Sequence, residues 1–232
     1  MPFLPFTYTP YLSFHYMMFV PYRQSIIIRT ALSLAFPCPF NVKYKESFRN
    51  EGVYMEGILK EGPRLRLRRA GEADIDYICD LQVAKDNSDY IVPFSRTDHE
   101  SIIMQAKASM DIIIEERESL ERVGYLHVTG LLLASKEQEW THVIIERKGL
   151  GYGHEAMKLL KAWAFEDMGA HRAWLDCKDY NARALHLYES EGMVREALIR
   201  ETILHRGVYE NLVILGILDR EYRARKRAGL EL

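Results

Sequence analysis

The stretch KGLGYGHEAM, residues 148–157, decides the fold of this protein. Gly149, Gly151 and Gly153 stand within five positions, directly before a segment with helical periodicity. A glycine-rich turn exposes backbone N–H groups, and the N-terminus of a following helix adds a partial positive charge, so both features favour a bound anion. We therefore expect the loop to hold a phosphate group, and the surrounding sequence indicates which compound carries it.

One interpretation is a dinucleotide. Gly151, Gly153 and Ala156 match the pattern G-x-G-x-x-A, and Asp176 follows at the end of the next predicted strand. A dinucleotide fold, however, carries this turn after the first strand of an alternating β-α series, whereas several strands precede the loop here. Too little chain follows to complete a doubly wound sheet. A dinucleotide-dependent oxidoreductase is therefore a remote alternative.

Before the loop, the pattern predicts one strand, two helices and three further strands. Residues 65–70 alternate apolar and basic side chains, which is typical of a strand and should open the domain. Helical spacing follows at residues 73–84 and 97–110, where Thr97 and Glu100 are suited to cap the second helix. Apolar runs that indicate consecutive antiparallel strands come next, at residues 111–116, 123–135 and 139–146.

After the loop, the pattern predicts a helix up to Gly169, a short strand, a second helix from Asn181 to Gly192 and a hairpin of two long strands. The hairpin strands are expected at roughly residues 194–204 and 209–218. This order of elements resembles the GNAT superfamily of acetyl-CoA-dependent N-acetyltransferases. The resemblance implies a fold of the α/β (α+β) class, with a mixed, mostly antiparallel central sheet and helices on both faces.

Two motifs carry the resemblance, which runs from about residue 65 to residue 218 and looks closest to the ribosomal-protein-alanine and spermidine acetyltransferase branch. The family's loop has Gln or Arg, two residues, Gly, one residue, and Gly or Ala; Lys148, Gly151 and Gly153 stand in those places. Its later helix often reads N-x-R-A-x-x-L-Y-x-x-x-G-F, and NARALHLYESEGM matches it with Met193 in place of Phe. Lysine still binds phosphate and Met fills the space of an aromatic ring, so neither departure changes the interpretation.

The resemblance implies acetyl-CoA as cosubstrate and indicates where it lies. The loop backbone would cradle the pyrophosphate at the start of a helix that begins near His154. The pantetheine arm would pair like an additional strand with the strand before the loop, where the family's sheet opens. The residues implied in cofactor binding are Val143, Ile144, Ile145, Lys148, Gly149, Leu150, Gly151, Tyr152, Gly153, His154, Asn181 and Arg183.

The implied chemistry is direct attack of an amine on the thioester, which needs a base for the ammonium group and an acid for the departing thiolate. Tyr188 is the expected acid, since it lies seven residues after Asn181 on one helix face. A buried core aromatic is the alternative. Glu139 is the expected base, with Glu137 in reserve, although an exposed strand-end carboxylate would look the same. Cys177 is interpreted as a small buried residue rather than a nucleophile.

Composition limits the partners and the location. A formal net charge of −2 gives no electrostatic reason to expect bound nucleic acid. Three widely separated cysteines favour a reducing cytoplasm. The histidines show no H-x-x-x-H pair, so we expect no metal, and His142 is expected on the strand face opposite Glu139 with a structural role.

The two ends of the chain differ from the middle. Residues 1–62 are apolar and rich in proline and aromatic residues, and we expect them to be poorly ordered or outside the native domain, with Met55 a candidate start. Prolines and arginines interrupt the possible membrane helices there, so a membrane role is disfavoured. The acetyltransferase domain is predicted over residues 63–219, followed by a basic, solvated tail at 220–232.

The acceptor is left open by the sequence. The resemblance points to a primary amine on a protein N-terminus, a ribosomal protein or a small polyamine, and relatives often form homodimers. A coenzyme-A-binding sensor without turnover is the alternative from another class of protein.

Overall fold

The computed structural model describes residues 57–232, in which eight strands form one sheet covered by five α-helices. The strands are β1 (Ile58–Glu61), β2 (Leu65–Arg69), β3 (Ser109–Glu116), β4 (Arg122–Thr129), β5 (Glu137–Ile145), β6 (Arg172–Lys178), β7 (Val194–His205) and β8 (Val208–Leu218). The helices are α1 (Ile75–Val83), α2 (Arg96–Met104), α3 (Tyr152–Ala162), α4 (Ala182–Ser190) and α5 (Asp219–Arg227).

The strand order is β1-β2-β3-β4-β5-β6-β8-β7, and every neighbouring pair is antiparallel except β5 and β6. These two run parallel because the chain crosses over through α3 between them. The period-two pattern of β2 shows how the sequence selects the faces: Leu65 and Leu67 are fully buried, while Arg66 and Arg68 both bond to Glu115. The predicted fold class, a mixed and mostly antiparallel sheet, is confirmed.

Helices cover both faces of this sheet. The larger core lies under α3, α4 and α5 and includes Trp140, Leu160 and Tyr188. The smaller core lies under α1 and α2, where Ile78 and Tyr125 pack together. A residue's position along each strand therefore decides which group of helices it meets.

Two element boundaries differ from the sequence prediction. Strand β1 precedes residue 63 and pairs with β2, so the sheet begins inside the segment that was predicted to be an extension. Helix α2 is capped by Ser95 rather than Thr97, since the Ser95 N–H donates to the Asp98 carboxylate at 2.8 Å and the Asp98 N–H donates to Ser95 Oγ at 3.2 Å. Asp98 thus closes the capping box that Glu100 was expected to close.

A β-bulge in β5 changes which side chains share a face. His127 lies opposite His142, and the next residue of β4, Val128, lies opposite Trp140, so Thr141 is the extra residue. Thr129 in turn lies opposite Glu139. Because alternate residues of β4 share a face, Glu139 and His142 lie on the same face of the sheet, and the expectation that they lie on opposite faces is wrong.

The C-terminal residues form a packed helix, which corrects the predicted solvated tail. Tyr222 of α5 is fully buried and stacks on Phe165 with ring centroids 5.0 Å apart. The buried Lys161 ammonium donates to Glu231 at 2.7 Å and to the Glu191 carboxylate at 3.0 Å. One buried aromatic and one buried ion cluster therefore attach this charged segment to the domain.

The predictions for residues 1–56, including the apolar extension and the candidate start at Met55, lie outside the described residues. Among the helices in the described range, none combines the length and the apolar character that a bilayer span needs.

Candidate active site

The glycine loop forms a sharp turn directly before α3. Gly149 and Gly151 have φ angles of 82° and 76°, in the left-handed region that favours glycine. Gly151 is the N-cap residue, so the helix begins at Tyr152, two residues earlier than the expected start at His154. Because a glycine cap offers no side-chain acceptor, the N–H groups of the first turn keep their capacity to bind an anion.

Arg64, which the sequence analysis missed, provides a cation at this turn. One of its guanidinium nitrogens donates to the Leu150 carbonyl oxygen at 2.9 Å, and the guanidinium lies 5.1 Å from the centre of the Tyr152 ring. Glu155 holds it from below, accepting from the Arg64 Nε at 2.8 Å. The side chain is still 51% exposed, so its free edge can meet a phosphate. No local motif marks this arginine, because it directly precedes β2 and is 84 residues or more away from the loop in sequence.

Lys148, which the motif implied as a phosphate-binding residue of the loop, is directed to another part of the protein. Its ammonium donates to the Asp86 carbonyl oxygen at 3.2 Å and to Asn87 Oδ1 at 3.1 Å, and its side chain is mostly buried. Lys148 therefore ties the glycine loop to the loop between α1 and α2. Asp86 partly compensates its charge there, and Glu155 does the same for Arg64, which bonds to the turn at Leu150.

The sheet opens beside this loop. β5 pairs with β6 at three positions only, and the last of them joins Glu139 to Trp174. Beyond Glu139, β5 continues to Ile145 and stays paired with β4, while β6 continues beside β8. We call the gap that begins after Glu139 the open seam. It exposes the edge of β5 that contains Val143, Ile144 and Ile145, as the predicted pseudo-strand requires.

Helix α4 contributes the predicted Asn-to-Tyr pair. Asn181 caps the helix, with its Oδ1 accepting from the Ala184 N–H at 3.2 Å, and Arg183 is exposed on the first turn. A Cβ on Gly153 would lie 3.1 Å from Leu187, so the glycine loop and α4 approach closely. The structure thus brings together the two motifs that the sequence analysis treated separately.

Tyr188 lies deep in α4, with only 7% of its surface exposed. Burial, together with the nearby Cys177 and Asp176, raises the pKa of its phenol well above the usual range. The phenol is therefore protonated at neutral pH and has a proton to give. Burial also raises the pKa of the Cys177 thiol to about 12, which agrees with its interpretation as a core residue rather than a nucleophile.

His154 faces away from the glycine turn. Its Nδ1 lies 2.9 Å from Glu191 Oε1, at the far end of α4. Of its neighbours in the loop, Leu150 is exposed, and the Tyr152 hydroxyl donates to Glu116 at 2.5 Å. The backbone N–H groups of these residues, more than their side chains, are therefore the candidate anion-binding groups.

On the other face of the sheet, Glu139 and His142 border a cluster of histidines that the sequence analysis did not identify. Glu139 is 8% exposed at the head of the open seam. The His142 ring packs against Phe94 with centroids 4.6 Å apart, and His127 lies edge-on to the same phenylalanine at 5.0 Å. These histidines show no regular spacing in the sequence, because they come from different elements and meet only when the sheet forms.

The centre of this cluster is the Asp111 carboxylate, which is buried in β3. It accepts hydrogen bonds from His127 Nδ1 at 2.6 Å, His99 Nδ1 at 2.7 Å and the Tyr125 hydroxyl at 2.8 Å. Burial alone would raise its pKa, but the bonds from His127 and His99 outweigh burial and lower the pKa to about 2. Asp111 is therefore a buried carboxylate anion held by two imidazoles.

A glycine-capped helix start, an open seam in a mixed sheet and a buried phenol on α4 fit the class of coenzyme-A-dependent acyltransferases. A family model described as acetyltransferase (GNAT) domain matches residues 64–194, more than half of the chain. The protein therefore belongs to the GNAT family, and it is an N-acetyltransferase, as the sequence predicted. The dinucleotide interpretation finds no support, because the loop follows the fifth strand of a mostly antiparallel sheet.

Solved structures agree at the level of the fold. The spermidine N-acetyltransferase from Vibrio cholerae, in complex with CoA and spermine, has a TM-score of 0.64 with 22% identity, covering 70% of this chain and 99% of that one. A mutant form of that enzyme gives 0.62 with 21% identity, covering 71% and 99%. The same enzyme in complex with manganese ions gives 0.60 with 21% identity, covering 70% and 96%.

Proposed function

We propose that this N-acetyltransferase transfers the acetyl group of acetyl-CoA to a primary amine of a small polyamine in the cytoplasm. The observation that carries the proposal is the open seam between β5 and β6, which starts at Glu139 and lies beside the glycine-capped start of α3. An extended thioester cofactor needs such a seam for its amide groups and such a helix start for its phosphates.

The donor binds along this seam. Backbone N–H groups of the turn from Gly149 to Gly153 hold the pyrophosphate, and Arg64 supplies the adjacent positive charge. The pantetheine amides pair with the free edge of β5 along Val143 and Ile145, so the thioester is directed toward Glu139. Asn181 and Arg183, at the start of α4, border the cofactor from the opposite side.

The chemistry then needs two groups, in the roles of base and acid. Glu139 takes one proton from the bound ammonium group, and the neutral nitrogen attacks the thioester carbonyl. As the C–N bond forms, the C–S bond breaks, and Tyr188 gives its phenol proton to the departing thiolate. The nitrogen loses a second proton as it becomes an amide, and this proton restores the phenol. The net products are the acetylated amine, free coenzyme A and one proton.

A small, flexible acceptor fits the cover over the seam. Phe94, at the end of the α1–α2 loop, packs on His142 of β5, while the Asp89 carbonyl of the same loop accepts from Lys178 at 2.6 Å and from Tyr180 at 3.0 Å. This loop therefore crosses from β5 to the end of β6. The similarity to an enzyme solved with spermine also supports a polyamine over a folded protein substrate.

The test is an acceptor screen on the full-length chain. Spermidine, spermine, a simple monoamine and an alanine-terminated peptide are each mixed with acetyl-CoA, and the release of free thiol is followed. We expect the two polyamines to give the highest kcat/KM. Faster reaction of the peptide would contradict the acceptor class. Acetyl-CoA binding by calorimetry without thiol release from any acceptor would instead indicate the sensor alternative.

A further inference from the structure

The imidazole and carboxylate cluster around Asp111 fixes the hydrogen positions of its histidines. Gln82 Nε2, which can only donate, lies 2.7 Å from His99 Nε2, so that nitrogen is an acceptor and His99 carries its proton on Nδ1 toward Asp111. His127 also presents Nδ1 to Asp111, which is a carboxylate anion and can only accept. The neutral His127 ring therefore carries its proton on Nδ1, and its Nε2 is the basic nitrogen.

The two imidazoles differ in what surrounds that basic nitrogen. In His99 it is already occupied by Gln82, and the side chain is fully buried. His127 lies opposite His142 in the strand register. Thr129, two residues further along β4 and on the same face, lies opposite Glu139, so His127 and Glu139 are diagonal neighbours. The Cα atoms of diagonal neighbours of this kind are roughly 7–8 Å apart, a separation within reach of long side chains such as those of glutamate and histidine.

We propose that His127 stores the proton that Glu139 takes from the amine, and that Asp111 is the positioning residue that makes this possible. The inference rests on the proposed function and adds a step to it. After Glu139 accepts a proton from the ammonium group, the proton moves through a water to Nε2 of His127. The imidazolium that forms is stabilised by Asp111, and Glu139 is again a carboxylate before the next amine binds. After the products leave, the imidazolium gives its proton to solvent, which accounts for the one proton that each turnover releases.

The surroundings permit the imidazole to change its charge. The titratable groups that face it are Asp111 from β3, His99 from α2, Tyr125 from β4, Glu139 and His142 from β5, and Cys79 from α1. Burial raises the pKa of Tyr125 and of Cys79, so both are neutral near pH 7. The Asp111 anion is thus the charge that directly faces His127.

The decisive variant is His127→Asn, compared with His99→Gln, which removes a bond to the same carboxylate but leaves His127 in place. We expect His127→Asn to lower kcat on the order of 100-fold with little change in the KM for acetyl-CoA, a size typical of a lost acid–base group. The acidic limb of the kcat profile should move to lower pH, because the imidazole no longer takes part in the proton transfer. His99→Gln should keep that limb. An unchanged limb in His127→Asn would overturn the proposal.

A second measurement uses the wild-type protein and therefore does not depend on the folding of a variant. Nitrogen-15 spectra of the histidine side chains in the wild-type protein report which ring nitrogen carries hydrogen. We expect the neutral His127 ring to carry its hydrogen on Nδ1, the nitrogen that faces Asp111. A neutral ring protonated on Nε2 would overturn the proposal. Absence of turnover by the wild-type protein with every amine would contradict the proposed function itself, which separates the two failures.

Discussion

At the scale of single residues, the phenol of Tyr188 is the clearest test of the proposed chemistry. Burial keeps it protonated, so its proton is available when the thiolate departs. We expect Tyr188→Phe to lower kcat on the order of 100-fold while the KM for acetyl-CoA stays within a factor of about two. Thiol release under saturating acetyl-CoA measures the effect.

Tyr222→Phe is the matched control, because Tyr222 is also a buried phenol but bonds to Glu166 at 2.6 Å in the distant α5 region. This variant should lose about 1 kcal/mol of stability and keep its kcat. If both variants lose activity equally, packing rather than acid catalysis explains the effect at Tyr188.

Arg64 gives a second prediction at this scale. Removing its guanidinium leaves Glu155 bonded to the backbone N–H groups of Arg64 and Leu65 at 2.7 and 2.9 Å, so the turn should keep its shape. We expect Arg64→Ala to weaken coenzyme A binding roughly tenfold, measured by calorimetry. Arg220→Ala, on the exposed face of α5, should leave the affinity for coenzyme A unchanged. An equal loss of affinity in this variant would mean that the net charge of the protein, rather than the position of Arg64, determines binding.

Asp111 links stability to pH. Its folded pKa of about 2 lies below the ordinary value of 3.8, so the stabilisation is complete above pH 4 and is lost as the pH falls toward 2. The difference corresponds to about 2 kcal/mol. We expect urea unfolding to show this loss in the wild-type protein and a flatter acid profile in Asp111→Asn. Parallel profiles in the two proteins would show that other carboxylates dominate acid unfolding.

The same residues show where sequence reasoning reached its limit. Tyr188, Asn181 and the glycines were predicted from motifs, because their chemistry depends on neighbours close in sequence. Arg64 and Asp111 were missed because their partners come from other strands and helices, and no spacing records them. Arg64 meets its partners only once the start of β2 lies beside α3. Asp111 meets its partners only once β4 pairs with β3 and α2 packs on β3.

At the scale of elements, α5 yields a prediction about packing. Glu231 and Glu191 together compensate Lys161, whose side chain is fully buried. We expect Glu231→Ala to lower the free energy of unfolding by about 2 kcal/mol, since it leaves a buried ammonium group with one partner fewer. Glu189→Gln, which breaks the exposed pair with Arg195, should cost less than about 1 kcal/mol. Similar urea midpoints for the two variants would contradict this view of α5.

Most elements were predictable because their apolar periodicity is strong, as in β3, β4 and α3. The exceptions have weak patterns. β1 buries one residue, Leu59, and α5 buries Tyr222 alone within a charged run, so neither shows a face in its sequence. The bulge at Thr141 is also invisible in β5 itself, since it depends on the register with β4. That bulge is why the faces of Glu139 and His142 were misassigned.

At the scale of the whole molecule, the position of β1 defines where the domain can be shortened. Beyond its pairing with β2, Lys60 of β1 donates to Asp167 at 2.9 Å. We expect residues 55–232 to fold and to keep acetyl-CoA turnover, whereas residues 63–232 should melt at a lower temperature and lose solubility, because β2 becomes an exposed edge. Calorimetric melting of the two proteins measures this. Equal melting temperatures would mean that β1 adds nothing to the fold.

The open seam has a consequence for the stability of the enzyme. Two groups of strands, β1 to β5 and β6 to β7, meet in the sheet at three backbone positions, so few backbone hydrogen bonds join them. In the proposed binding mode, acetyl-CoA pairs with β5 inside the open seam and lies between the two groups of strands. At a concentration 100 times its Kd, such a ligand adds about 2.7 kcal/mol to the folded state. The concentration of acetyl-CoA would then set the stability of the folded enzyme as well as its rate.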